Sequence, residues 1–164
     1  VQALVSPSPL GTPRRAVVGW DAARLAMVLA VLEARGGVGL AGRDVYLNIA
    51  GGLRIGEPAA DLAVAAALLS AYSGRPMDAD TVIFGEIGLS GEVREVSQLL
   101  PRLKEAAKLG FRAALVPAES ARRAPSVAGM GVSGIAHVAD LVERLGPFDP
   151  KLVKMCPAGD RAED

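Results

Sequence analysis

The side chains able to do chemistry in this sequence are few and scattered. There is one histidine, His137, and one cysteine, Cys156. Nucleophilic catalysis needs a hydroxyl or thiol beside a base. His137 ends a short apolar strand and reads as a structural or edge histidine rather than a base, and Cys156 falls beyond the last expected element. Ser70 and Ser73 lie near the end of an apolar helix, where small hydroxyls bond back to the backbone. Asp78 and Asp80 precede a strand and read as a solvated loop. One Cys and one His exclude a disulfide framework within the chain and a zinc site built from the usual Cys and His ligands. The segments Gly36-Gly37, Gly51-Gly52 and Gly85 to Gly91 invite a phosphate reading. None carries the Lys-Ser/Thr ending of a P-loop or the strand, G-x-G-x-x-G and helix context of a dinucleotide site. They read as turn and packing glycines. No catalytic, cofactor or metal constellation stands out.

The charges say more once divided. The 164 residues hold 18 Lys plus Arg and 18 Asp plus Glu, a net charge of zero. That excludes a globally basic nucleic-acid binder and a disordered polyelectrolyte but not a local patch. Residues 1–56 hold six basic and three acidic side chains, residues 57–92 one and six, residues 93–123 seven and three, and the rest four and six. The basic blocks include Arg14-Arg15, Arg54 and a helix with Arg102, Lys104 and Lys108, a grouping suited to phosphate contacts. Arg24 and Arg94 could equally pair with the acidic block of a neighbouring subunit. Hydrophobic residues make up 51% and aromatics 4%, so the core rests on Ala, Val and Leu, and a row of base-stacking aromatics is not available.

The elements that must position these residues follow from periodicity and punctuation. Strands are expected at Val1–Val5, Arg15–Gly19, Asp44–Ala50, Thr81–Leu89, Val93–Val96, Ala113–Val116 and Gly134–Val138. A helix capped by Asp21 runs to about Arg35, with Leu25, Val28, Leu29 and Leu32 on one face and Gly36-Gly37 as its stop. A second, from Pro58 to about Tyr72, is apolar all round and should be the buried central helix. Others span Pro101–Leu109 and Asp140–Leu145, and residues 146–164 read as a loose tail. Strands and helices alternate without a repeat, which predicts an α/β fold of two layers, α+β in arrangement. Apolar runs such as Leu62–Leu69 fall well short of the ~20 residues of a membrane span. The opening Val1-Gln2-Ala3-Leu4-Val5 reads as a strand from a longer protein rather than a signal peptide.

Three runs, TPRRAVVGWDAARLAMVLAVLEAR, DVYLNIAGGLRIGEPAADLAVAAALLSAYSGRP and FGEIGLSGEVREVSQLLPRLKEAAKLGF, occur in order. With their spacing they make the chain, from about Val1 to Leu145, strongly resemble the C-terminal domain of the bacterial RadA (Sms) family. That domain is in turn similar to the proteolytic domain of the Lon family, so a Lon-protease-like fold is implied for residues 1–145. Lon-type proteases place their nucleophile in a Gly-Pro-Ser-Ala-Gly motif at a helix start. The matching stretch here is Glu57-Pro58-Ala59-Ala60-Asp61, with Ala59 at the nucleophile. The partner Lys follows a Gly-Gly-Leu, and matching through VREVSQLL places Leu100 there. Both dyad positions are degenerate, and Lys104, one turn on, has no Ser to activate.

The resemblance also implies a setting. Family members carry an upstream zinc-binding module and a RecA-like ATPase, so ATP, Mg and Zn belong to those modules and no cofactor is expected in this fragment. They form hexameric rings on branched DNA alongside RecA recombinase. The implied role is a catalytically inactive domain for ring assembly and DNA binding, cytoplasmic and nucleoid-associated, with no membrane partner. Its expected phosphate contacts are Arg14, Arg15, Arg54, Arg102, Lys104 and Lys108. The alternative is a purely architectural oligomerisation domain.

Overall fold

The computed structural model describes residues 1–9 and 11–145; the expected tail at 146–164, with Cys156, lies outside them. The architecture is mixed α/β, with two three-stranded sheets and a two-stranded hairpin. In the first sheet β3 (Arg43–Asn48) is central, antiparallel to β1 (Gln2–Pro7) and parallel to β2 (Arg15–Val18). Alternation sets its faces: Val45 and Leu47 are buried, whereas Tyr46 is half-buried and Asn48 exposed. The second sheet is parallel throughout, in the order β4 (Thr81–Ile83), β7 (Ala113–Pro117), β8 (Gly131–Ile135).

Helix α1 (Ala22–Gly36) forms as its sequence dictates. The Asp21 carboxylate accepts from the Arg24 N–H at 2.7 Å, Gly37 closes the helix with a φ of 68°, and Leu25, Val28, Leu29 and Leu32 are buried. The central helix differs from expectation. Residues Pro58–Ala60 form a tight 3-10 turn, and α2 proper runs Asp61–Ser73, closed by Gly74. Leu62, Val64, Leu68 and Leu69 sit in the main core. However, α2 is not buried all round: Ala63, Ala67 and Ser70 are half-buried and floor an open trough.

The expected single strand Thr81–Leu89 is broken. After β4 the chain turns at Gly85 and resumes as β5 (Glu86–Ile87), which pairs with β6 (Val93–Arg94). The cause is local. Gly85 donates its N–H to the Ala59 carbonyl at 2.9 Å and accepts from the Leu62 N–H at 3.0 Å, so its backbone serves the α2 entrance instead of a strand neighbour. A Cβ here would meet Val93 Cγ1 at 3.0 Å, Pro117 Cγ at 3.2 Å and Leu62 Cδ2 at 3.3 Å.

Helix α3 (Leu99–Lys108) starts two residues before Pro101, which the first turn tolerates because its N–H groups lack helical acceptors. Its N-cap, Gln98, is the one non-glycine among the described residues at positive φ, 63°. A short helix α4 (Ala118–Arg123) follows β7, with Glu119 in its first turn and Arg122 and Arg123 in its last, as the helix dipole favours. Helix α5 (Val138–Arg144) begins at His137. The imidazole Nδ1 accepts from the Ala139 N–H at 3.2 Å, Asp140 Oδ2 accepts from the His137 N–H at 2.9 Å, and Nε2 lies 2.9 Å from the Ser90 carbonyl. The lone histidine thus caps a helix and tethers the β5–β6 turn.

The close approach at Gly85 makes a test. Gly85→Ala should lower stability by about 1–3 kcal/mol through overpacking, seen as a lower urea midpoint with an unchanged slope.

Candidate functional site

Ala59, the position of interest at the head of α2, is 3% exposed. Its carbonyl holds the Gly85 N–H, and its methyl packs in a small apolar cluster with Phe84, Leu103, Ala114 and Val116, to which Leu99 adds a half-buried side chain. The first turn of α3 therefore meets the head of α2 through Leu99, and Leu100, the next residue, is half-buried. Above Ala59 lies a hollow of about 390 Å³ whose ionisable lining groups are Glu57, Arg102 and Glu105; none of its lining residues is Ser, Cys, His or Lys. Ser70 lines a neighbouring hollow, and its hydroxyl donates to the Arg75 carbonyl at 2.6 Å; Ser73 donates to the Ser70 carbonyl at 3.3 Å. Among the described residues no three His, Cys, Asp or Glu groups gather to hold a metal ion.

Two residues after Ala59 the structure places a charge that the sequence did not advertise. Asp61 is 1% exposed. Arg24 grips it with two bonds, Nε to Oδ1 at 2.5 Å and Nη2 to Oδ2 at 2.7 Å, and the Ile87 N–H adds a third at 3.1 Å. Glu86 stands 4.0 Å from the same guanidinium. The Arg24 pKa is raised, chiefly by the hydrogen bond to Asp61 and against the opposing effect of burial. The acidic partner expected from a neighbouring subunit is thus supplied by the same chain. Arg94 likewise pairs with Glu92 of its own hairpin. Both arginines thus find an acid within the chain, because the acidic segment folds back beside them.

The six expected phosphate-binding residues divide. Arg15 turns its guanidinium onto carbonyls of the α1–β3 connection, at 3.2 Å from Leu40 and 3.5 Å from Ala41, with a further bond to Arg43. Arg102 bonds the Ser97 carbonyl at 2.9 Å, pairs with Glu57 and lies 5.7 Å from the centre of the Phe84 ring. Lys108 reaches Glu105 at 3.1 Å but stays largely exposed. The side chains of Arg14, Arg54 and Lys104 are exposed and form no ion pair with described residues. They do not share one spot: Arg14 precedes β2, whereas Arg54 lies beyond its far end, where Ile55 bonds the Gly19 carbonyl. Arg102 and Lys104, two residues apart on α3, flank the buried Leu103–Ala106 stripe on opposite sides.

Fold and site together define a mixed α/β domain with a cleft over Ala59 and a charged surface partly paired within itself. A family model described as subunit ChlI of Mg-chelatase matches residues 14–120, and the chain belongs to that family. It is homologous to proteins named DNA repair protein RadA, as its resemblance to the RadA family led one to expect. It is 67% identical to that of Brucella abortus over 117 residues, which make up 71% of this chain and 25% of the relative. It is 50% identical to that of Rickettsia felis over 143 residues, 87% and 31% of the two. With the protein of Salmonella typhimurium the identity is 45% over 140 residues, 85% and 30%. The chain thus spans about a quarter to a third of these relatives. No helix among the described residues is long and apolar enough to cross a membrane.

Two tests follow from the charges. Arg24→Ala leaves a buried carboxylate without its counterion and should cost about 3–5 kcal/mol in urea unfolding. Glu92 has its pKa lowered from 4.5 to about 2, first by the Ser90 hydroxyl and then by its backbone N–H and Arg94. Because the folded value lies below the unfolded one, the carboxylate favours folding above pH 4.5, and that contribution fades as pH falls toward 2. Glu92→Gln should flatten the stability profile across this window, measured by denaturant unfolding at successive pH values.

Proposed function

We propose that this chain is the catalytically inactive, Lon-protease-like domain of a RadA-type DNA repair protein, contributing DNA binding and hexameric ring assembly. The observation that carries the reading is Ala59. It stands at the head of α2 where a Lon nucleophile would stand, with its methyl buried and no Ser, Cys, His or Lys lining the hollow above it. An alanine methyl cannot attack a carbonyl, and Leu100 cannot serve as the base. Gln98 supports the correspondence. It adopts a left-handed conformation, φ 63°, at the place of the second Gly in the Lon Gly-Gly-Leu.

In this reading the fragment needs no cofactor; ATP, Mg and Zn serve upstream modules of the full-length ATPase. The partners are duplex or branched DNA, further copies of the chain in a ring, and RecA, in the bacterial cytoplasm at the nucleoid. Of the six expected basic residues, Arg14, Arg54 and Lys104 are the ones whose side chains make no ion pair or hydrogen bond with described residues and are free to meet phosphates. Arg15, Arg102 and Lys108 hold their own chain together. That internal engagement also favours a second reading, an architectural oligomerisation domain without direct DNA contact.

Salt titrations of DNA binding separate the two. Replacing Arg14, Arg54 and Lys104 together by Ala should weaken binding at low salt and reduce the log–log salt slope by about 0.9 per lost phosphate contact. Arg102→Ala should leave that slope in place while lowering stability. If the triple variant binds as the parent does, or the parent does not bind while sedimenting as a ring, the architectural reading stands.

A further inference from the structure

Two exposed large apolar side chains lie at one corner of the domain, where β2 ends and the connection from β3 to α2 turns back. They are Val18, 60% exposed, and Leu53, 63% exposed. The turn that carries Leu53 is seated at both ends. The Ile49 N–H donates to the Val18 carbonyl and the Ile55 N–H to the Gly19 carbonyl, each at 2.9 Å. Between them Gly51 and Gly52 take φ values of 83° and 70°, which lets the chain double over. The Leu53 carbonyl comes so close to Gly19 that a Cβ there would stand 2.4 Å from it. The backbone of Leu53 is thus held against β2 while the residue itself stays largely in water.

The next residue supplies a charge. Arg54 is exposed and forms no ion pair with described residues. It lines a notch of about 450 Å³ with Val18, Ile55 and Asp21. Asp21 is engaged as the N-cap of α1, accepting the Arg24 N–H at 2.7 Å, and Glu57, the next acid along the chain, pairs with Arg102. An aliphatic tip on a pinned turn, beside a cation without a partner, suits a wedge between bases with the cation on the adjacent phosphate. Aromatics make up only 4% of the chain, so an aliphatic group must take that part. Burying one leucine returns no more than parting an intact base step costs. Such a wedge therefore gains only where the step is already open.

We infer that Leu53 is an apolar wedge that enters an opened base step of DNA, as at a mismatch, with Arg54 on the flanking phosphate. This rests on the DNA-binding reading above and adds to it the residue that sets which DNA is preferred.

The test uses the full chain and two duplexes of one sequence, either intact or with a single central mismatch, each carrying 2-aminopurine beside the central step. Binding is followed by anisotropy and opening of the step by 2-aminopurine fluorescence. The mismatched duplex should bind about tenfold tighter and brighten as its stack is parted. Leu53→Ala should bring the two duplexes to within about twofold of each other and leave the probe dark, and Leu53→Met should restore both signals. The log–log salt slope of Leu53→Ala should match the parent, since no phosphate contact is lost, whereas Arg54→Ala should lower it by about 0.9. Thermal unfolding checks the variants, and Leu53→Gln repeats the measurement should Leu53→Ala unfold the chain. A Leu53→Ala chain that keeps the preference, or a parent that binds both duplexes alike, would overturn the wedge and leave DNA binding standing. A parent that binds neither duplex overturns the wedge together with the DNA-binding reading.

Discussion

The arrangement depends on one buried carboxylate. Asp61 sits at the first turn of α2, 1% exposed, where removing a charge from water costs several kcal/mol unless it is fully satisfied. It is satisfied three ways, by the two Arg24 bonds and by the Ile87 N–H, and the positive end of the helix dipole favours the same sign. Those partners belong to α1 and β5, and Asp61 itself to α2. A single group thus fixes how the first helix, the central helix and the hairpin meet. The Gly85 exchanges with Ala59 and Leu62 then set the turn ahead of α2 to within a hydrogen bond. Ala59 lies between these two constraints, its carbonyl held by the Gly85 N–H and its neighbour Asp61 by Arg24.

The same pairing logic changes the meaning of the zero net charge. The acidic stretch 57–92 is not a free face. Asp61 is taken by Arg24, Glu57 by Arg102, Asp80 by Arg112 and Glu92 by Arg94. Three of those arginines come from the basic stretch 93–123, whose Arg122 and Arg123 are themselves paired with Glu119 and Glu95. Exposed pairs of this kind add little stability, but they cancel the local potential that a phosphate would feel. The basic residues of stretch 93–123 are therefore mostly paired inside the fold, whereas in stretch 1–56 only Arg24 is, and the cations left over are spread around the domain.

How much could be read beforehand depended on the range of the interaction. Helix α1 was legible because its N-cap, its apolar stripe and its glycine stop all lie within one segment. Strand β3 was legible by alternation. The break at Gly85 was not, because the atoms that demand a glycine come from Val93, Pro117 and Leu62. Helix α4, six residues long, is too short to show a period, although its flanking charges were a usable sign. The strand expected at Gly134–Val138 lies earlier, at Gly131–Ile135, because the chain beyond it turns to the β5–β6 hairpin, where His137 bridges Glu92, before capping α5. Ala59 was found only through resemblance, as an alanine in an apolar run carries no local signal. The Arg24–Asp61 pair was missed for the opposite reason: both charges were visible, but 37 residues separate them.

The cleft over Ala59 stays open for a reason that lies in α2 itself. On its core side, Leu62, Leu68 and Leu69 fill the space beneath the sheets. On its other side, Ala59, Ala60, Ala63 and Ala67 present only methyl groups to the hollows bordered by β4 and α3. Each added methylene that could be buried there would contribute about 0.8 kcal/mol, and half-buried positions such as Ala63 and Ala67 have room for one. Hence the trough is maintained by side-chain size alone, whereas the turn beneath it is maintained by hydrogen bonds and a buried ion pair. The two are separable. A larger residue on the trough face would close the cleft without disturbing the entrance to α2, whereas loss of the Asp61 contacts would disturb both.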